Sequence, residues 1–210
     1  LLKMKKIILA FFIICTLKSN AQKLDVGFSS GTGLIYFFEN KDSNIDIDYK
    51  NPLVLSAHIK YTPINSFFGL KLKYQNLVGK VNGDDWQHIN VQTPFITKFD
   101  GYIENSTLLF ELEHLKDLPK YSFGYSFGLG TTKEKIYFNN KKTNYIESNY
   151  MVINLSGTYI YNITSKLGLK LEPSILWNDP INSLNYNRHN MAGEDVHLLF
   201  QIGINYKINN

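Results

Sequence analysis

The sequence of 210 residues contains a single cysteine, Cys15, and only two tryptophans. One cysteine cannot form an intramolecular disulfide, so a disulfide framework is excluded. After the N-terminal segment no apolar run approaches the roughly 20 residues that a membrane-spanning helix needs. The mean hydropathy of -0.19 also excludes a bundle of such helices.

The first 21 residues predict an export signal. A basic pair, Lys5 and Lys6, precedes an apolar run at residues 7–17, and a small-residue cleavage site ends at Ala21. We therefore expect cleavage before Gln22. The predicted domains are a signal peptide at residues 1–21 and one folded domain at residues 22–210.

Removal of this segment changes the charge balance. Four of the 22 basic residues lie in it and none of the 18 acidic residues does, which leaves 18 of each sign. A chain without net charge gives no general electrostatic case for nucleic-acid binding. Cys15 lies in the same segment, so no thiol chemistry is expected in the remaining chain.

The end of the chain, residues 196–208, alternates apolar and other residues without a miss. One face carries Val196, Leu198, Phe200, Ile202, Ile204, Tyr206 and Ile208. A period of two residues is that of a β-strand. A strand of this length spans about 43 Å at about 3.3 Å per residue, which is enough for a tilted strand to cross a bilayer.

Seven earlier segments share this alternation. They lie at residues 24–38, 53–62, 68–75, 102–114, 121–130, 151–162 and 167–177. The connections between them alternate long and short, which predicts an all-β, eight-stranded antiparallel up-and-down barrel with both termini at the short-turn end. The long connection at residues 79–101 contains enough β-formers for a short extra hairpin, and Pro173 predicts a bulge.

This pattern resembles the family of small eight-stranded outer-membrane β-barrels, such as the OmpA-, OmpX- and OmpW-like proteins. The last strand also looks like the assembly signal that such barrels present to the insertion machinery, with Gln201, Gly203, Tyr206 and Ile208 in the matching places. Many members end on the aromatic residue, whereas here the chain continues to Asn210. The Asn-Ala-Gln end of the signal peptide resembles those of the phylum Bacteroidota, which suggests its PorT-like outer-membrane barrels.

A secreted lipocalin-like carrier is the main alternative, because its apolar row lines a ligand cavity inside a similar barrel. Here the polar row consists largely of Gly, Ser, Thr and Asn, and such small side chains suit a narrow interior. Aromatic residues at both ends of the strands are typical of interfacial girdles. We therefore expect the apolar rows to face lipid and the polar rows to face the lumen of a transmembrane barrel.

Charged residues on the polar rows concentrate near the short turns. The expected lumen ionic cluster comprises Lys60, Lys71, Lys73, Glu111, Glu113, Lys170 and Glu172. Because their strands are neighbours, we expect Lys71 and Lys73 to face Glu113 and Glu111. Mutual pairing would offset most of the cost of burial, so the expected role is a plug that fills the lumen.

The chemistry expected of the chain is limited. Ser56 and His58 could form a nucleophile and base, but they would lie inside the barrel, away from lipid acyl chains. We therefore expect a non-enzymatic protein with no catalytic residue, cofactor or metal ligand. A lipid-modifying barrel enzyme stays open as an alternative. The expected partners are outer-membrane lipid, the insertion machinery, and an extracellular protein or glycan bound by the long loops, but no nucleic acid.

Overall fold

The computed structural model describes residues 23–37, 46–63, 66–86, 97–138, 145–180 and 195–208. Eight strands pair in chain order and antiparallel into a closed barrel, which confirms the predicted fold class. The strands are β1 (Lys23–Phe37), β2 (Asp46–Thr62), β3 (Phe68–Trp86), β4 (Thr97–Asp117), β5 (Tyr121–Phe138), β6 (Tyr145–Asn162), β7 (Leu167–Asn178) and β8 (Asp195–Lys207). Within these ranges no helix has the length and hydropathy that crossing a membrane requires.

The last strand closes the barrel against the first. The register of this pair runs from Asp25 opposite Lys207 to Phe37 opposite Asp195. Ile208 lies one residue beyond the strand, and its backbone N–H donates a hydrogen bond to a carbonyl oxygen of β1 at 2.8 Å. This pairing of β1 with β8 completes the barrel that the sequence predicts.

The apolar rows face outward on all eight strands. Leu34 is 73% exposed and Phe110 is 67% exposed. Large apolar side chains in the core of a soluble protein would be buried instead. Other exposed members of the band are Leu53, Leu70, Phe127, Leu155, Ile175 and Ile202. An apolar surface that encircles the molecule indicates contact with lipid, because soluble monomers rarely expose continuous apolar patches of such extent.

Several strands extend farther from the turns than the sequence predicts. β2 begins at Asp46 instead of residue 53, β3 continues to Trp86, and β4 begins at Thr97. Both predicted bounds of the long connection, residues 79 and 101, are therefore wrong. No separate hairpin forms in the described part of it, because β3 and β4 themselves continue as a pair. Polar composition does not prevent strand pairing beyond the apolar band.

Two register shifts occur in these extensions. One lies between Lys50 and Leu53 in the β2–β3 pair, next to Pro52, which has no N–H to donate to a ladder. The other lies between Gly83 and Trp86 in the β3–β4 pair. Both shifts lie at the long-loop end, so the ladders nearer the short turns keep a regular inward and outward alternation.

The bulge predicted at Pro173 is not present. Ser174 pairs with Ser156 and Leu171 pairs with Tyr159, so the β6–β7 register is the same on both sides of the proline. Pro173 remains paired with Phe200 on β8. The ring therefore interrupts the β6 ladder locally without shifting it, because the missing donor faces only one of the two neighbouring strands.

The lumen is filled in layers. The buried inward residues of β4, read from the long-loop end toward the turn, are Ile103, Asn105, Thr107, Leu109, Glu111 and Glu113. Six members of an apolar cluster occupy the middle of this order, namely Val54, Leu77, Leu109, Val152, Leu176 and Leu199, and the other three described members, Val81, Ile103 and Ile136, lie nearer the long loops. The charged residues therefore lie on the turn side of an apolar layer. Other polar residues lie on the opposite side of this layer, toward the long loops.

Candidate functional site

The turn-side half of the lumen holds all seven charged residues of the predicted cluster. Each of them is buried and inward-facing, and an eighth residue, Asp25, joins them. We use the name ionic cluster for these eight residues: Asp25, Lys60, Lys71, Lys73, Glu111, Glu113, Lys170 and Glu172. With Asp25 included, four ammonium groups face four carboxylates, so the cluster carries no formal net charge.

Asp25 is the member that the sequence prediction missed. It lies directly opposite Lys60 in the β1–β2 register. Lys60 Nζ is 3.0 Å from Asp25 Oδ2 and 2.9 Å from Glu113 Oε2. The alternation of the first strand already places Asp25 on the polar, inward-facing row. Its pairing with Lys60 follows only from the strand register.

Lys71 connects the two glutamates of β4. Its Nζ lies 2.6 Å from Glu111 Oε2 and 2.9 Å from Glu113 Oε1. The expected facing of Lys71 with Glu113 and of Lys73 with Glu111 differs from the register, in which Lys71 is opposite Glu111 and Lys73 is opposite Leu109. Lys73 has no carboxylate opposite it and extends across the lumen instead.

Glu172 on β7 is the meeting point of the remaining lysines. It forms ion pairs with Lys73 and with Lys170, whose Nζ lies 2.7 Å from Glu172 Oε2. Lys71 Nζ is also 3.7 Å from the same oxygen. One carboxylate therefore joins lysines from two sides of the barrel.

Neutral side chains satisfy the glutamates further. Asn154 Nδ2 donates to Glu111 Oε1 at 2.6 Å, and Ser126 Oγ donates to Glu111 Oε2 at 3.3 Å. Thr158 Oγ1 donates to Glu113 Oε1 at 3.1 Å. Buried charges are tolerated when counter-ions and hydrogen bonds replace their hydration. The cluster has both.

The bare face of β5 makes room for the cluster. Its inward residues are Ser122, Gly124, Ser126, Gly128 and Gly130. A Cβ atom at Gly128 would lie only 2.6 Å from Glu111 Cγ. Small residues on this strand therefore leave the volume that the long glutamate and lysine side chains of the neighbouring strands occupy.

Ser56 and His58 lie beside the cluster but do not form a nucleophile and base. The Ser56 hydroxyl donates to Gln201 Oε1 at 2.6 Å. Lys170 Nζ is 3.3 Å from His58 Nδ1, and His58 Nε2 is 3.3 Å from Asn205 Oδ1. An ammonium group can only donate, so Nδ1 accepts and Nε2 carries the proton. The histidine is thus held by neighbours other than the serine.

A second group of polar residues lies above the apolar layer, toward the long loops. We call Asn105, Glu134, Asn178, Asp195 and His197 the outer polar layer; all five are buried. His197 Nε2 is 3.6 Å from Asp195 Oδ2, and Glu134 interacts electrostatically with both of them. Glu134 makes no ion pair with a lysine or arginine of the described chain. The sequence prediction missed this layer because it ended the fifth strand at residue 130.

Several atoms of the outer polar layer have no hydrogen-bond partner among the residues that the structure describes. They include Glu134 Oε2, Asn178 Oδ1 and His197 Nδ1. In the same part of the chain, no group of three or more His, Cys, Asp or Glu side chains is arranged to hold a metal ion.

The four residues of the predicted assembly signal lie in or next to β8. Gln201 is buried in the lumen, whereas Tyr206 and Ile208 are exposed on the outer face. Gly203 lies against β1, where a Cβ atom would come within 2.1 Å of the carbonyl oxygen of Phe28. All four therefore have a place in the barrel wall, and their recognition by insertion machinery stays a prediction.

No protein-family model and no curated protein matches the sequence. The barrel superposes on Neisserial surface protein A with a TM-score of 0.58 and 7% sequence identity, covering 88% of this chain and 97% of that one. The fold is that of small outer-membrane β-barrels.

A second solved structure supports this fold. A major outer membrane protein from Thermus thermophilus gives a TM-score of 0.53 at 14% identity, covering 88% of this chain and 99% of that one. Such low identities show a common fold and nothing finer. Membership of the Bacteroidota PorT-like barrels therefore stays a prediction.

Proposed function

We propose that this chain is a non-enzymatic outer-membrane β-barrel protein with a structural or surface-binding role. The observation that carries the proposal is the opposite character of its two faces: an exposed apolar band outside and a buried ionic cluster inside. This arrangement is the reverse of a lipocalin-like carrier, in which the apolar face lines the ligand cavity. A barrel with this exterior requires lipid around it.

The lumen is proposed to be closed to solutes. An eight-stranded barrel has an interior that side chains can just fill. Here the ion pair of Lys73 with Glu172 crosses the lumen from β3 to β7, and an apolar layer lies directly above it. A conduction path would require both layers to separate, which would leave buried charges without partners.

The long-loop end is the proposed binding surface. A closed lumen leaves the connections at this end, together with the extended strands β2 to β6, as the part available to a partner outside the membrane. An extracellular protein or a glycan fits this role. The proposal also includes export through a signal peptide at residues 1–21 and delivery by the insertion machinery through the end of β8.

A lipid-modifying enzyme is the alternative, and the described residues favour it less. Ser56, His58 and His197 are all buried in the lumen, away from the lipid-facing surface. The Ser56 hydroxyl donates its hydrogen bond to Gln201, so His58 does not activate this serine as a nucleophile. The alternative predicts altered membrane lipid on deletion that a His58→Ala copy fails to restore.

Membrane fractionation combined with heat-dependent gel mobility tests the proposal. The expected result is recovery with the outer membrane and a shift between the folded and the heat-unfolded form. Recovery as a soluble periplasmic protein would overturn the membrane assignment. A lipid-anchored form is not expected, because the predicted signal peptide lacks a small residue before Cys15.

A further inference from the structure

The charged residues that follow residue 21 are unevenly distributed between the two ends of the barrel. After residue 21 the chain has 18 basic and 18 acidic residues, and the ionic cluster contains four of each. At the short-turn end, five lysines accompany one carboxylate: Lys23, Lys116, Lys120, Lys166 and Lys207, with Asp117. By sequence position, the other nine basic and thirteen acidic residues belong to the long-loop end, so the two ends have opposite net charge.

The lysines of the turn end are available at the surface. Lys116, Lys120 and Lys166 are exposed. Lys23 is partly neutralised, because its Nζ lies 2.7 Å from Asp117 Oδ2 across the mouth of the barrel. The three exposed lysines make no ion pair with any residue that the structure describes. Their charge is therefore free to act on a partner outside the chain.

The same end carries an aromatic edge. Tyr121 stacks against Phe123 at 6.3 Å and against Tyr159 at 6.0 Å between ring centroids. Lys116 lies directly opposite Phe123 in the β4–β5 register, on the same outward face. Aromatic rings of this kind lie at the level of lipid headgroups, so the ammonium group of Lys116, carried beside them on a flexible stem, reaches the level of the phosphates.

We propose that the turn end binds the phosphate groups of anionic phospholipids in the leaflet on its own side. The inference rests on the proposed membrane location and adds a lipid preference to it. The lysines are spread over separate connections and form no pocket, which suits the many phosphates of a lipid surface better than one small ligand. A lysine is a compact charge on a flexible stem and needs no fixed geometry for such a contact.

Lipid selectivity measured by electron paramagnetic resonance tests the inference. The full chain is inserted into phosphatidylcholine vesicles that contain spin-labelled phosphatidylglycerol or spin-labelled phosphatidylcholine, and the ratio of the two association constants is determined. We expect a preference of about fivefold for phosphatidylglycerol, the effect of about one lysine near the surface. The preference should fall as the salt concentration rises.

Two triple variants locate the contact. Replacement of Lys116, Lys120 and Lys166 by Gln should bring the ratio close to one. The matched control replaces Lys50, Lys80 and Lys133, exposed lysines of the long-loop end, by Gln and removes the same charge. It should retain the preference. An unchanged ratio in the turn-end variant, or an equal loss in both variants, would overturn the inference.

Two further outcomes are kept apart by the same experiment. Heat-dependent gel mobility shows whether each chain has inserted, so a chain that fails to insert contradicts the membrane proposal before any lipid is compared. Soluble polyglutamate is added as a second probe. Tight binding of polyglutamate by a chain without lipid preference would assign the lysines to an acidic macromolecule and overturn the lipid inference.

Discussion

Lys73 on β3 and Glu172 on β7 form an ion pair although 99 residues separate them in the chain. Their strands lie four places apart in either direction around the closed barrel, so the pair spans the lumen. Both side chains are fully buried. This contact joins opposite walls and makes the ionic cluster a filling of the lumen.

Removal of one partner of this pair should destabilise the barrel strongly. Glu172→Met leaves Lys73 and Lys170 without the carboxylate that they share, whereas Lys73→Met removes only one of the lysines that neutralise Glu172. We expect a loss of about 3–5 kcal/mol in the free energy of unfolding for Glu172→Met and a smaller loss for Lys73→Met. The double variant should lose less than the sum, because it removes both charges together. Urea unfolding in vesicles measures all three. Additive losses would contradict direct pairing.

An exposed pair at the turn end provides the control for this cycle. Lys23 and Asp117 have side chains that are 54% and 36% exposed. Asp117→Asn should therefore cost less than about 1 kcal/mol, the usual size for a solvent-screened ion pair. A loss comparable with that of Glu172→Met would mean that burial is not what makes the lumen pair important.

Gly203 should tolerate no side chain. Its Cβ would lie 2.1 Å from the Phe28 carbonyl oxygen, so Gly203→Ala must push β8 away from β1, where the barrel closes. We expect a marked fall in the fraction of chain that refolds into vesicles, measured by heat-dependent gel mobility without any insertion machinery. A purely signalling glycine would give normal refolding in this assay.

Gly157→Ala is the matched control. A Cβ atom there would make an ordinary contact, 3.5 Å from Pro173 Cγ. Replacement of glycine by alanine in a strand reduces the freedom of the unfolded chain, so this variant should refold as well as the original or better. A loss equal to that of Gly203→Ala would show that the effect belongs to strand glycines in general.

Glu134→Gln should stabilise the protein. Glu134 is buried near Asp195, makes no ion pair with a described lysine or arginine, and keeps Oε2 without a hydrogen-bond partner in the described chain. Removal of the charge should raise the free energy of unfolding at neutral pH by about 1–3 kcal/mol. Glu147→Gln, at an exposed ion pair with Lys133, should instead be neutral or slightly destabilising. Destabilisation by Glu134→Gln would show that its charge has a partner.

The sequence predicts the barrel well because one physical pattern repeats on every strand. The alternation from Val196 to Tyr206 reflects the two sides of the barrel wall, one facing lipid and one facing the lumen. The structure places the apolar row of this strand on the outer face, as expected. The sequence also predicts the charged residues on the turn side, because the same alternation places their side chains on the inward face. The predicted strands end too early because polar residues continue the ladders beyond the apolar band.

What the sequence leaves open depends on register and on contacts across the lumen. Alternation places Asp25, Lys60 and Lys73 on inward faces, but it does not say which carboxylate each ammonium reaches. Lys60 is opposite Asp25 in the ladder, whereas Lys73 contacts Glu172 on a strand far from it in sequence. The outer polar layer was missed because Glu134 lies beyond residue 130, where the predicted fifth strand ends, and it meets Asp195 and His197 only across the lumen.

The closed lumen is tested most directly by the ion conductance of the full chain in planar lipid bilayers, with insertion verified by heat-dependent gel mobility. The ion pair of Lys73 with Glu172 and the apolar layer above it predict no conductance steps above the bare bilayer in concentrated potassium chloride. Reproducible unitary steps from the inserted, unmodified protein would contradict a plugged lumen.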